Sequence, residues 1–245
     1  MRRTMSLELR PRSFEDMIGN EEAVRTIREA LAKGTVPVAF MFIGPFGTGK
    51  TTLARIIARE VQGFDFPADM EPEIVEVNAA NETGVDFTRV LAEAAGYRPL
   101  YGKYKVIILD EAHKLTNSAQ NVLLKEWEKE NSATVWIVCS TESKKILKGL
   151  KDRALTVPLL PATPADRDKL LDRAANYVSE QGYPVAAEDL AAFKKAAAEA
   201  GLNSPRDILM SFERFTNGMS PEKACLLYTS PSPRDLSTSR MPSSA

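Results

Sequence analysis

The stretch Val38-Ala39-Phe40-Met41-Phe42-Ile43-Gly44-Pro45-Phe46-Gly47-Thr48-Gly49-Lys50-Thr51 runs an apolar segment into a full match of G-x-x-x-x-G-K-[ST]. The apolar part reads as a buried strand, and the pattern as a phosphate-binding loop between that strand and a helix. Glycines there let backbone N–H groups converge on phosphates, and Lys50 can reach the β/γ-phosphates. The Thr51 hydroxyl can coordinate Mg²⁺ at the positive end of the following helix. Gly44, Pro45, Phe46, Gly47, Thr48, Gly49, Lys50, Thr51 and the adjoining Thr52 are therefore the candidate nucleotide-binding residues. Thr52-Leu53-Ala54-Arg55-Ile56-Ile57-Ala58-Arg59 has the composition of an amphipathic helix, which is the context the motif needs.

Four further strand-like runs follow, at 73–78, 105–110, 134–140 and 155–159. The first alternates and the second is continuously apolar up to its end. Helical patterns separate most of them, near 51–61, 86–95, 118–130 and 144–151. Strands alternating with helices argue for an α/β fold: a five-stranded parallel sheet covered by helices on both faces, with ligand sites at the carboxyl ends of the strands. At Leu160-Pro161-Ala162-Thr163-Pro164 two prolines break the pattern and can lead into a new helix. Beyond them, 165–181, 187–200 and 205–216 read as three helices, so a domain of residues 1–160 is expected to be followed by a small all-helical domain over 161–224.

The second chemical signal is Val106-Ile107-Ile108-Leu109-Asp110-Glu111-Ala112-His113, four apolar residues ending in two carboxylates. A buried strand has little reason to end in adjacent acids unless something there draws positive charge or protons. Asp110 can hold the same Mg²⁺ as Thr51, and Glu111 can orient or deprotonate a water that attacks the γ-phosphate. His113, the only histidine, reads as a packing or hydrogen-bonding residue, because Glu111 already handles the water.

The 245 residues, 44% hydrophobic and 27% charged, can bury one sizeable core and a smaller second one. No apolar stretch is long enough to cross a bilayer, and the first residues lack the apolar core of a signal peptide, so a cytoplasmic location is expected. The two cysteines, Cys139 and Cys225, match no metal-ligand spacing, and Cys139 sits in an apolar run that suits a buried thiol. The net charge of −1 does not announce a nucleic-acid binder. Residues 225–235 back-translate without conflict to a transposase sequencing adapter, and 239–245 to a flow-cell sequence in the same frame. The tail 225–245 is accordingly expected to be adapter read-through, with the native chain ending near Ala224.

These motifs together resemble the AAA+ ATPases, and within them the ATPase subunits of sliding-clamp loaders. Arg10-Pro11 followed by Phe14-Glu15-Asp16-Met17-Ile18-Gly19-Asn20 is similar to that family's adenine-side segment, and Glu76-Val77-Asn78-Ala79-Ala80-Asn81 to its second-strand segment. Asp110-Glu111-Ala112-His113-Lys114-Leu115 through Asn121-Val122-Leu123-Leu124-Lys125 resembles the Walker B strand and its helix. The resemblance covers essentially residues 7–217. It implies that Arg10, Pro11 and Ile18 line the nucleotide, that Ser140 or Thr141 senses the γ-phosphate, and that Arg206 in the helical lid contacts the nucleotide of its own subunit. It also implies that Arg153 reaches the nucleotide of a neighbouring subunit, although Lys151-Asp152-Arg153-Ala154 keeps only the arginine of the family's Ser-Arg-Cys. The implied activity is hydrolysis of ATP with Mg²⁺ in a hetero- or homo-oligomeric ring, pentameric in the full-length protein. Such a ring of clamp-loader subunits opens a sliding clamp and closes it on primer–template DNA.

Lys103, Lys105, Lys114, Lys144, Lys145, Lys148 and Lys151 are candidates to face the phosphate backbone. The rivals are a Holliday-junction branch-migration motor, whose family carries a long hairpin between Walker B and the fourth strand, and a scaffold that binds ATP without hydrolysing it. The zinc module of the bacterial γ/τ motor is missing from the sequence, and the collar that holds such rings together would lie past residue 224.

Overall fold

A computed structural model describes residues 4–62, 74–81, 83–99, 102–129 and 133–229, the last three without their side chains. Glu73 and Glu130, at the ends of two expected elements, and the tail from Ser230 lie outside the described residues. The chain divides into two compact units, one of residues 11–161 and one of residues 4–10 with 162–229.

The larger unit is built on five strands: β1 (Ala39–Ile43), β2 (Ile74–Asn78), β3 (Lys105–Asp110), β4 (Thr134–Ser140) and β5 (Leu155–Pro158). Every pairing is parallel and the order is β2-β3-β4-β1-β5. Because strand side chains alternate, each buried strand supplies both faces at once. Phe40 and Phe42 pack on one face with Val106, Ile108 and Ile137, whereas Ala39, Met41, Ile107, Leu109, Trp136 and Val138 pack on the other.

The first face is covered by α2 (Glu21–Ala32) through Ala23 and Ile27, and by α3 (Lys50–Gln62) through Leu53, Ile56, Ile57 and Val61. The second is covered by α4 (Val85–Ala95) through Leu91 and Ala95, and by α5 (Asn117–Trp127) through Ala119, Leu123 and Trp127. Burying apolar side chains on both faces is the main stabilising term of this unit.

Local chemistry sets the helix ends. Thr116 accepts a hydrogen bond from the Ala119 N–H and starts α5. The buried Lys105 donates its ammonium to the Ala94 carbonyl at 2.9 Å and closes the C-terminus of α4 beside the Tyr97 ring. That removes Lys105 from the candidates for contact with a nucleic acid, because its charge is spent on α4.

The helix expected over 144–151 is instead a 3₁₀ turn at Ser143–Lys145 and a separate α6 (Lys148–Arg153). Buried Ile146 fills the break, and Gln120 holds both sides of it, donating to the Lys145 carbonyl at 3.0 Å and accepting from the Leu147 N–H at 2.8 Å. The four lysines of that run therefore do not share one helical face.

The smaller unit contains α1 (Met5–Glu8), α7 (Pro164–Glu180), α8 (Ala187–Glu199), α9 (Pro205–Thr216) and α10 (Pro221–Thr229). Thr163 and Asp166 form a reciprocal capping box with Pro164 at the first helical position of α7, and Ser204 caps α9 ahead of Pro205. Phe193, Phe212 and Phe215 meet at centroid distances of 5.0–5.8 Å in its core.

Residues 4–10, read from the sequence as part of the first domain, belong to this helical unit: Met5 and Leu9 are buried, and the Met5 N–H donates to Glu213. Helix α10, not anticipated from the sequence, runs across the point where the sequence reading ends the native chain.

Candidate active site

The loop Gly44–Lys50 leaves the carboxyl end of β1 and α3 begins at Lys50, so the free N–H groups of the first helical turn face the loop. Gly44 is required by a close approach. A Cβ there would come within 2.3 Å of the Leu159 carbonyl oxygen, and that carbonyl belongs to a strand end fixed by the Leu159 N–H donating to Ile43 at 2.8 Å. Gly47 and Gly49 have φ of +77° and +98°, the left-handed region that opens the loop around a phosphate.

Thr48 is buried and its hydroxyl donates to the Pro45 carbonyl at 2.9 Å. The Lys50 ammonium donates to the carbonyls of Gly44 at 2.8 Å and Pro45 at 2.7 Å, inside its own loop. Burial lowers the pKa of Lys50, and the nearby Cys139, Asp110 and Glu111 act against that shift. Phe46 is exposed and Thr52 half-buried.

Strand β3 ends beside this loop although β4 lies between β3 and β1 in the sheet. The Thr51 hydroxyl donates to Asp110 Oδ2 at 2.7 Å, so the two residues expected to hold a metal are already in contact. A hydroxyl and a carboxylate side by side are hard oxygen donors at the mouth of a phosphate loop, and that donor set suits Mg²⁺. Glu111 follows with φ of +53°, an uncommon conformation for a residue with a side chain, and its N–H donates back to Asp110 Oδ1 at 2.9 Å.

Ser140 and Thr141 stand at the end of β4. Ser140 is fully buried, its carbonyl accepts from the Gly44 N–H at 3.2 Å, and its hydroxyl oxygen accepts from the Glu142 N–H at 3.1 Å. Thr141 is only half-buried.

The segment 14–20 borders the loop, since Met17 Cε lies 4.0 Å from where a Gly49 Cβ would be. Pro11 and Ile18 are half-buried in the same unit. Asn20 anchors the segment by donating to the Leu160 carbonyl at 3.1 Å and accepting the Leu160 N–H at 2.7 Å. Arg153 closes α6 with its guanidinium on Glu128 at 2.5 Å and on the Gly149 carbonyl at 3.3 Å, on the exposed side of the larger unit. Arg10 and Arg206 belong to the helical unit, Arg206 exposed in the first turn of α9.

One polar residue of the site, read from the sequence as a packing or hydrogen-bonding residue without a catalytic part, stands closer to the chemistry than that. His113 is buried, with Nδ1 3.5 Å from the Ser140 hydroxyl and Nε2 3.4 Å from Glu111 Oε2 and 3.5 Å from Glu142 Oε1. Its position two residues after the acids was the available signal. Its link to β4 depends on the strand order.

Among known proteins, a profile of the ATPase family associated with various cellular activities (AAA) matches residues 40–159. The chain is 32% identical over 230 residues to DNA polymerase III subunit gamma/tau of Mycobacterium tuberculosis, covering 85% of this chain and 38% of the relative. It is 35% identical over 153 residues to DNA polymerase III subunit tau of Bacillus subtilis, covering 56% and 27%. It is also 34% identical over 146 residues to replication factor C subunit 3 of Saccharomyces cerevisiae, covering 59% and 42%. The chain thus spans less than half the length of these relatives. Among solved structures, the Thermotoga maritima RuvB Holliday junction branch migration motor superposes with a TM-score of 0.64 at 20% identity, over 89% of this chain and 71% of that one. That likeness is one of fold.

Proposed function

Through residues 40–159 this chain belongs to the ATPase family associated with various cellular activities, and from that premise we propose that it hydrolyses ATP as a subunit of a sliding-clamp loader. The observation that carries the reading is the contact of Thr51 with Asp110 at the mouth of the phosphate loop, with Glu111 beside it.

Each residue then has a physical task. Backbone N–H groups of residues 46–51 hold the phosphates, and Lys50 exchanges its two carbonyl partners for phosphate oxygens. Thr51 and Asp110 would hold Mg²⁺, which when bound neutralises charge on the β- and γ-phosphates. Glu111 orients the attacking water and takes its proton. Thr141 is the better γ-phosphate sensor of the two candidates, because the Ser140 hydroxyl is already engaged with the Glu142 N–H and faces His113.

Pro11 and Ile18 border the base. Arg153 acts on the nucleotide of a neighbouring subunit, which makes turnover depend on assembly. The partners on this reading are other loader subunits in a ring, a sliding clamp and primer–template DNA.

The relatives named as polymerase III and replication factor C subunits support the loader over the branch-migration motor. So does the stretch between β3 and β4, where the described residues contain a 3₁₀ turn and α5 but no strand. The test is Glu111→Gln. Steady-state turnover should fall by about 10²-fold or more, while a fluorescent ATP analogue binds as before. Equal turnover in the two proteins would favour a scaffold that binds nucleotide without hydrolysing it.

A further inference from the structure

Glu111 has its backbone held and its carboxylate less so. Its N–H is tied to Asp110, whereas the carboxylate stands against the imidazole of His113, 3.4 Å from Nε2. The His113 side chain is only 3% exposed, so water cannot replace these partners freely. The other side of the ring faces the Ser140 hydroxyl, and Ser140 is bonded through its carbonyl to Gly44, the first glycine of the phosphate loop. A second carboxylate, Glu142, flanks the same Nε2 and is itself held by Lys145 at 2.9 Å.

We propose that His113 is a positioning residue that aims the Glu111 carboxylate and ties it to the end of β4; the inference rests on Glu111 being the water-orienting group. A ring nitrogen facing two carboxylates has to carry the proton, because a lone pair there would be repelled, so Nε2–H donates to Glu111 and Glu142. Ser140 Oγ already accepts the Glu142 N–H, which leaves its own hydrogen for Nδ1. One tautomer thus serves the Ser140 hydroxyl and both carboxylate oxygens that face the ring. The ring distances of 3.4–3.5 Å are longer than a formed hydrogen bond, as catalytic contacts commonly are before substrate binds and tightens them. The cluster makes the aim of Glu111 respond to the strand end that touches the phosphate loop.

Because His113 is the only histidine, ¹⁵N-histidine labelling of the intact chain gives a single imidazole to observe. The expected spectrum has the proton on Nε2; Glu111→Gln should move the Nε2 signal and Ser140→Ala the Nδ1 signal. A neutral ring protonated on Nδ1, or a ring unaffected by either change, overturns the proposal.

In turnover assays His113→Ala should lower kcat by about tenfold or more, with the affinity for a non-hydrolysable ATP analogue kept within about twofold. His113→Gln places an amide N–H near the Nε2 position and should recover much of the loss, whereas His113→Asn restores only the Ser140 side and should behave like alanine. If Glu111→Gln abolishes turnover and His113→Ala does not, the positioning role fails and the ATPase reading stands. Normal turnover in Glu111→Gln defeats both.

Discussion

The Thr51 hydroxyl donates to Asp110 Oδ2 across 2.7 Å, joining the residue after the phosphate-loop lysine to the acid that ends β3. The contact sets two oxygen donors side by side, and divalent cations bound by oxygen ligands depend on such proximity. Thr51→Val keeps the shape and removes the oxygen. Its kcat/KM for ATP should fall by about tenfold or more, and half-maximal rate should need more Mg²⁺. Thr51→Ser should stay near wild type. A Mg²⁺ titration of the three proteins checks this, and an unchanged Mg²⁺ requirement in Thr51→Val would remove Thr51 from the metal site.

Lys50 is buried, and its pKa lies below the ordinary lysine value of 10.5 because burial disfavours the ammonium. For a group whose folded pKa is depressed, the native state binds fewer protons than the unfolded state between the two values. Stability therefore rises with pH across that window. Lys50→Met cannot titrate. The stability of wild type relative to Lys50→Met should thus improve as pH rises from neutrality towards 10.5. Urea unfolding of both proteins across that range measures it; a difference that is flat or moves the other way contradicts the buried-ammonium account. The same variant should lose turnover.

Arg153 rests on Glu128 and the Gly149 carbonyl, an exposed arrangement that costs little to leave. Arg153→Ala should therefore change thermal stability little and leave ATP binding nearly intact. Hydrolysis in the assembled ring should drop by about 10³-fold if the guanidinium serves a neighbour's γ-phosphate. Normal turnover of the mutant in the ring would reduce Arg153 to a surface ion-pair residue.

Gln120 is almost fully buried and satisfies three backbone groups, the carbonyls of Leu115 and Lys145 and the N–H of Leu147. Gln120→Leu keeps the volume but strands those groups. The expected cost is about 2–4 kcal/mol, because each buried group left without a partner loses its hydrogen bond and its solvation together. Chemical denaturation reads it directly, and a loss below about 0.5 kcal/mol would mean that water reaches the break between Lys145 and Leu147.

Much of this architecture could be read along the chain. Strands β1, β3 and β4 were legible because a strand buried on both faces needs a continuous apolar run, and Asp110-Glu111 stood out because acids end such a run at a cost. Helix α2 was not legible. Its fully buried side chains are only Ala23 and Ile27, and that stripe is too narrow to separate from an exposed charged segment. Lys105 and the Lys144–Lys151 run misled for a related reason. A lysine on paper is a solvated charge, and only the placement of the α4 C-terminus and of Gln120 shows where these backbones and amines are held.

What the sequence determined by itself is the chemistry available: a phosphate loop, two acids at a strand end, an arginine after a short helix, and the alternating α/β pattern that makes a parallel sheet. Those properties depend on residue identity and spacing within a few turns or strands, so they are local. The tertiary structure decided which of these groups meet. Asp110 touches Thr51, and His113 spans from Glu111 to Ser140, because the order β2-β3-β4-β1-β5 sets β3 and β1 on either side of β4. That order comes from burying both faces of the sheet at once, a long-range property of the whole unit.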